Sequence, residues 1–220
     1  TIENWKDDVF ICYNEDELKE AMKKIKSENI LVQKYLLKKN ELCIDGYSIQ
    51  KGTKVFYAIA TNYKNIKKDA YSNYMDVKNC NFPDLEKKLS EMFEEVGFEG
   101  IFSVEFLIDE KGDYYFLEIN FRNSTWSWAS TKAGMNLPFL WERAMEDENV
   151  IRKSYKQIKP FTAMAEFNDY KDRVKTKEVS IFEWIIQMIG CKCLYFWSIK
   201  DVSPVFARIY HKFTRKLKRR

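Results

Sequence analysis

Residues 102–122 read FSVEFLIDEKGDYYFLEINFR. Apolar runs flank the polar tetrapeptide Glu110-Lys111-Gly112-Asp113, the pattern of two β-strands folded back through a tight turn. Side chains alternate faces along a strand. Ser103, Glu105 and Leu107 therefore share one face of the first strand, and Tyr114, Phe116, Glu118 and Asn120 share one face of the second. A two- or four-residue loop centred on Lys111-Gly112 gives the same register, with Glu105 opposite Glu118 and Ser103 opposite Asn120. Two carboxylates facing each other across a strand pair destabilise a sheet. A divalent cation would neutralise them, and Mg²⁺ takes one or two carboxylates together with substrate phosphates. Spacing alone leaves two other readings open: one carboxylate turned to solvent, or a pairing with Arg122 or a lysine.

Composition narrows the chemistry. The chain has 220 residues, 45% hydrophobic and 32% charged, which is a globular composition with enough length for one large domain or two small ones. The net charge of +4 is mild and concentrates in residues 213–220, FTRKLKRR. Such an end reads first as a solvated helix tip and not as a nucleic-acid or membrane anchor. Five cysteines without a CxxC pair exclude a four-ligand zinc site and fit reduced thiols of a cytosolic protein. No signal peptide is read in the first residues. His211 is the one histidine, so Ser-His-Asp, Cys-His and His-rich zinc chemistry are excluded within this sequence. Neither GxxxxGK[ST] nor GxGxxG occurs, which removes the P-loop and Rossmann routes to nucleotide binding.

Outward from the hairpin, several elements are expected. Asn14 caps a helix to about Lys26, and residues 30–37 (ILVQKYLL) read as a buried strand. Residues 42–49 and 54–62 form a second hairpin turning at Gln50-Lys51-Gly52-Thr53. Residues 63–81 are polar, tyrosine-rich and without clear period. Pro83 opens a helix to Val96 that Gly97 ends, and Asn136 caps another to Met145. Residues 161–167 and 191–197 read as strands on either side of an apolar helix at 179–189, and an amphipathic helix follows Pro204. Residues 181–197 are too short and too interrupted, by Glu183, Gln187, Gly190 and Lys192, to span a bilayer. Peripheral membrane contact through these aromatics and the basic tail is the minor reading.

A glutamate in a strand, a hairpin and then Glu118-Ile119-Asn120-x-Arg122 resembles the metal-binding end of the ATP-grasp superfamily of carboxylate–amine ligases. Gln33-Lys34-Tyr35-Leu36 resembles the segment that links the two ATP-clasping lobes of that family. The resemblance implies an α+β fold, an ATP-grasp-like antiparallel sheet with helices packed on its outer face. It implies Mg²⁺ on Glu105, Glu118 and Asn120, and adenine on backbone groups of Lys34 and Leu36. It also implies ribose on Glu41, phosphate near Lys64 (with Lys67 and Lys68 equally basic), and Arg122 steadying phosphate or acceptor. Trp126 and Trp128 are candidates for the acceptor wall, with core packing the simpler role. Residues 1–160 would be the ATP-grasp core, its small lobe incomplete at the front, and 161–220 a β/α extension of the same domain. The run Asp201-Val-Ser-Pro204 resembles the end of the branch with D-aspartate ligase-like and carbamoyl-phosphate-synthase-like members.

The function so implied is ATP- and Mg²⁺-dependent joining of a small carboxylate to an amine through an acylphosphate. Family members carry a preceding α/β domain, so the sequence is expected to be a fragment of a longer cytoplasmic enzyme, active or inactive in isolation, or one that has lost catalysis. The competing reading is a non-catalytic interaction module with an aromatic surface and a basic tail.

Overall fold

The computed structural model describes residues 9–66, 72–198 and 200–217, without the side chains of 209, 212, 213 and 215–217. Two compact units divide the chain, Thr1–Leu37 and Lys38–Arg220. The first contains helix α1, Glu15–Lys24. Asn14 Oδ1 accepts from the Glu17 N–H at 2.9 Å, and the Glu17 carboxylate accepts from the Tyr13 N–H at 2.9 Å, a reciprocal cap. Residues 30–37, expected as a buried strand, form none, and Leu31 and Val32 are 84% and 68% exposed. Strand backbone needs a neighbour for its N–H and C=O groups. Among the described residues of this unit no second strand supplies one.

The second unit is built on seven strands: β1 (Asn40–Ile49), β2 (Lys54–Tyr63), β3 (Tyr74–Asn79), β4 (Gly100–Ile108), β5 (Tyr114–Asn120), β6 (Phe161–Met164) and β7 (Cys193–Leu194). They form one sheet in the order β5-β4-β1-β2-β3-β6-β7, antiparallel except for β6 with β7. The fold is α+β, as expected. β1 and β2 turn through Gln50, Lys51 and Gly52, all with positive φ. Gly52 is required there: a Cβ would sit 2.0 Å from the Phe93 carbonyl oxygen. β3 lies inside the stretch that reads as aperiodic. Its residues do alternate, with Met75 and Val77 buried and Asp76 and Lys78 exposed, but tyrosine and asparagine around it hide the period.

Each sheet face has its own core. Leu42, Ile44, Phe102, Val104 and Phe106 pack on helix α2 (Pro83–Val96) through Leu89 and Phe93. Each such side chain contributes about 1.5–3 kcal/mol by leaving water. The opposite face, including Ile59, Met75, Val77 and Ala163, packs on Trp126, Ala129, Met135 and Leu137. These come from the loop after β5, from helices α3 (Ser127–Lys132) and α4 (Leu137–Glu146) and from the turn between the two, with α5 (Val150–Ser154) following.

The last third departs from the expected pattern for a definable reason. β6 stops at Met164, and β7 is two residues long where residues 191–197 read as a strand. Glu166, 4% exposed, opens the short helix α6 (Glu166–Asp169). Its carboxylate accepts the N–H groups of Tyr195, Phe196 and Trp197 at 3.0, 3.1 and 2.7 Å. A side chain thus satisfies backbone that a ladder would otherwise satisfy. A π-helical turn (Tyr170–Val174), α7 (Ile181–Gly190) and α8 (Ser203–Leu217) complete the chain.

Candidate functional site

β4 and β5 pair with Ser103 opposite Asn120 and Glu105 opposite Glu118, the register read from the sequence. A bulge then places Phe106 opposite Phe116, so Leu117 is the extra residue on the edge strand. Because of that bulge the connection is residues 109–113, one longer than a four-residue turn. Asp109 holds it by accepting the N–H groups of Lys111 and Asp113 at 2.9 and 3.0 Å. β4 in turn pairs with β1, setting Cys43 opposite Glu105 and Asp45 opposite Ser103.

The result is an open cavity of about 280 Å³ on the same sheet face as α3 and α4, beside the part they cover. Glu41, Glu105, Glu118, Asn120, Arg122 and Trp126 are among its lining residues. Asn120 Nδ2 donates to Glu118 Oε1 at 2.9 Å and to Glu105 Oε1 at 3.3 Å. Rotating that amide end for end would present Oδ1 to the same space. Glu41 is 7% exposed and already engaged, by Lys38 Nζ at 2.7 Å and the Tyr63 hydroxyl at 2.5 Å. Arg122 donates to the Asn123 carbonyl at 3.2 Å, and neither Glu105 nor Glu118 forms an ion pair among the described residues.

Burial, then Glu118, Glu41 and Asp45, push the Glu105 carboxyl up from 4.5 to about 7, with Arg122 opposing. A raised folded-state value means the folded chain binds the proton more tightly than the unfolded one. The associated stability is present below the ordinary value and is lost as pH rises through about 7. Metal-free protein is therefore expected to melt lower at pH 8 than at pH 5. Glu105→Gln should recover about 1–2 kcal/mol of the loss at pH 8, less than the full shift implies because the group is partly exposed. An unchanged melting profile in that variant would contradict the assignment.

Behind the acids lies a buried support that the sequence reading missed. Asp45, 1% exposed, accepts from Ser124 Oγ at 3.0 Å, and Ser124 Oγ in turn accepts from the Trp126 N–H at 3.0 Å. Asp45 so ties β1 to the loop that carries Arg122. Burial raises its carboxyl to about 6, with Ser103, Ser124 and Cys43 pulling the other way. The alternation Glu41-Cys43-Asp45 in an otherwise apolar strand is the signal that could have found it.

The remaining candidates distribute as follows. Gln33, Lys34, Tyr35 and Leu36 lie in the first unit on backbone without strand structure, with Tyr35 edge-on to Tyr13 at 6.3 Å. Lys64 Nζ pairs with Asp76 Oδ1 at 3.1 Å and is not a lining residue of the cavity. Lys67 and Lys68 lie outside the described residues. Trp126 serves both roles weighed for it, lining the cavity and packing edge-on against Tyr195 at 5.1 Å. Trp128 is 45% exposed beneath Lys132 and does not line the cavity.

Oxygen donors dominate the site, which suits a hard cation such as Mg²⁺. Among the described residues no three His, Cys, Asp or Glu side chains converge as a metal cage. A cation held by Glu105, Glu118 and Asn120 would therefore draw further ligands from water or a bound phosphate, the habit of Mg²⁺.

No family model and no curated protein matches the chain. Solved structures do. An L-amino acid ligase from Bacillus licheniformis matches with TM-score 0.53 and 16% identity over 69% of this chain and 41% of its own. N5-carboxyaminoimidazole synthetase from Staphylococcus aureus matches with TM-score 0.52 and 19% identity over 76% and 46%. The biotin carboxylase domain of a thermophilic 2-oxoglutarate carboxylase, solved with bicarbonate, matches with TM-score 0.53 and 19% identity over 71% and 38%. The chain thus spans less than half the length of these structures. At such identities the likeness concerns the fold, and that fold is ATP-grasp.

Proposed function

We propose that the cavity is the metal and nucleotide-phosphate site of an ATP-dependent carboxylate–amine ligase, of which this chain is part. The observation that carries the reading is the pair Glu105 and Glu118, set directly opposite on one sheet face without an ion-pair partner among the described residues. On an ATP-grasp fold, two such acids at the open face call for a cation that arrives with its own ligand. The cation would be Mg²⁺ on Glu105, Glu118 and an amide-flipped Asn120, and it would supply neutralisation of phosphate charge. Arg122 would grip a phosphate or carboxylate oxygen in paired geometry, on a loop that Asp45 and Ser124 hold in place. Glu41, fixed by Lys38 and Tyr63, would accept from a ribose hydroxyl. Backbone groups of Lys34 and Leu36 would take the adenine edge, and Lys64 would contribute to phosphate binding once released from Asp76.

The reaction transfers the γ-phosphoryl group of ATP to a substrate carboxylate oxygen, giving an acylphosphate and ADP. An amine nitrogen then attacks the acyl carbon, phosphate leaves, and the nitrogen loses a proton to give the amide. Phosphoryl transfer rests on positioning and charge neutralisation more than on covalent help, which a site without histidine can provide. The branch with D-aspartate ligase-like and carbamoyl-phosphate-synthase-like members is the one the C-terminal run favours, with a preceding α/β domain and a cytoplasmic setting proposed as part of the same reading.

Trapping tests this reading. With Mg-ATP, a panel of amino and keto acids and hydroxylamine as surrogate amine, hydroxamate and ADP are expected to form together in the longest natural form of the protein. ADP formation that ignores the added carboxylate would contradict it.

A further inference from the structure

Beyond β6 the chain exposes an apolar surface that no core accounts for. α7 is held on one side by Trp184, whose indole N–H donates to Asp169 at 2.9 Å, and by Met188. Its other side is bare. Phe182, Ile186 and Ile189 are 78%, 71% and 74% exposed and stand on one helical stripe. α8 repeats the arrangement. Val205 is buried and the Arg208 guanidinium lies 4.8 Å from the rings of both Phe167 and Phe196, while Phe206 and Tyr210, one turn apart, are 65% and 66% exposed. In the sequence Phe213 and Leu217 continue that spacing, and seven Lys or Arg and no acid follow Asp201.

We propose that α7 and α8 form a docking surface for an anionic lipid bilayer. A basic tail alone would suit any polyanion, so the apolar stripes decide the occupant. Nucleic acid offers no hydrocarbon to receive Phe182, Ile186 and Ile189. A second copy meeting this surface face to face would bring two strongly basic helices together. A bilayer with acidic headgroups supplies hydrocarbon and negative charge at once. Among the described residues no helix is long and apolar enough to cross it, so contact would lie in the interfacial plane. This inference stands independently of the ligase reading.

Co-sedimentation of the 220-residue chain with vesicles tests it, using phosphatidylcholine alone and phosphatidylcholine with phosphatidylglycerol. Binding to the acidic vesicles is expected to be at least about tenfold tighter and to weaken with salt. The triple substitution Phe182→Ser, Ile186→Ser, Ile189→Ser should lose about tenfold at low salt, and these exposed positions should leave the melting temperature unchanged. Replacing Arg215, Lys216, Lys218, Arg219 and Arg220 by glutamine should abolish the preference for acidic vesicles. Equal binding by the triple variant would overturn the proposal in favour of a charge-only partner. Absence of vesicle binding, or a lipid-free dimer that the triple variant dissolves, would overturn it outright.

Discussion

Glu118→Ala is expected to abolish Mg²⁺-dependent nucleotide binding while leaving the chain folded. Loss of an outer-shell partner alone costs metal affinity about 10–100-fold, and removal of a direct carboxylate ligand should cost more. Glu118 sits on the edge strand β5, opposite Glu105 and within reach of Asn120, so its loss removes one of the two charges that attract the cation. Without metal the same substitution relieves a like-charge cross-strand pair, a change of roughly 0.2–1 kcal/mol in favour of the fold. Melting of the metal-free variant at or slightly above wild type, together with lost Mg²⁺ response, is the combined signature. A variant that binds Mg-nucleotide normally would remove the acids from the site.

Asp169→Ala should produce the largest loss of stability. Asp169 and Arg173 are 1% and 5% exposed and joined by hydrogen bonds of 2.7–3.1 Å, with the Trp184 indole also donating to Asp169. Arg173 stacks over Tyr74 on β3 at 4.9 Å, so the pair fastens the C-terminal helices to the sheet beside the cavity. Removing one partner leaves a buried unpaired guanidinium, at a cost of about 3–5 kcal/mol. In a domain of this size that lowers the melting temperature by about 10 °C. Replacing both partners, Asp169→Leu with Arg173→Met, should be less damaging than the single change. Equal or greater loss in the double variant would show that the pair contributes more than mutual neutralisation.

The hairpin and its opposed acids were legible because strand alternation, a short polar turn and face matching are local properties. For the same reason α2 was readable to both ends, with Pro83 opening it and Gly97, at φ 68°, closing it. Failures came where a distant group decides local structure. Residues 30–37 have strand composition but no neighbouring strand in their unit, and residues 195–197 trade a ladder for the Glu166 carboxylate. β3 was hidden by its composition, although its partner β2 imposes a clear alternation. Within the site, the two acids and Asn120 could be read from one hairpin. Asp45 was missed: its alternation with Glu41 and Cys43 marks it as a buried acid, but its role depends on Ser124, 79 positions away. Lys64, the phosphate contact expected after β2, pairs with Asp76 across the β2–β3 edge, a partner the sequence did not indicate.

The most direct test of the central claim is a calorimetric titration with a non-hydrolysable ATP analogue, with and without Mg²⁺, on wild type and Glu118→Ala. It is best performed on the longest natural form of the protein, so that any preceding lobe contributes its contacts. Binding that requires Mg²⁺ and disappears in the variant is the expected result. Binding of equal strength with and without Mg²⁺, or no binding by the wild-type protein, would contradict the account.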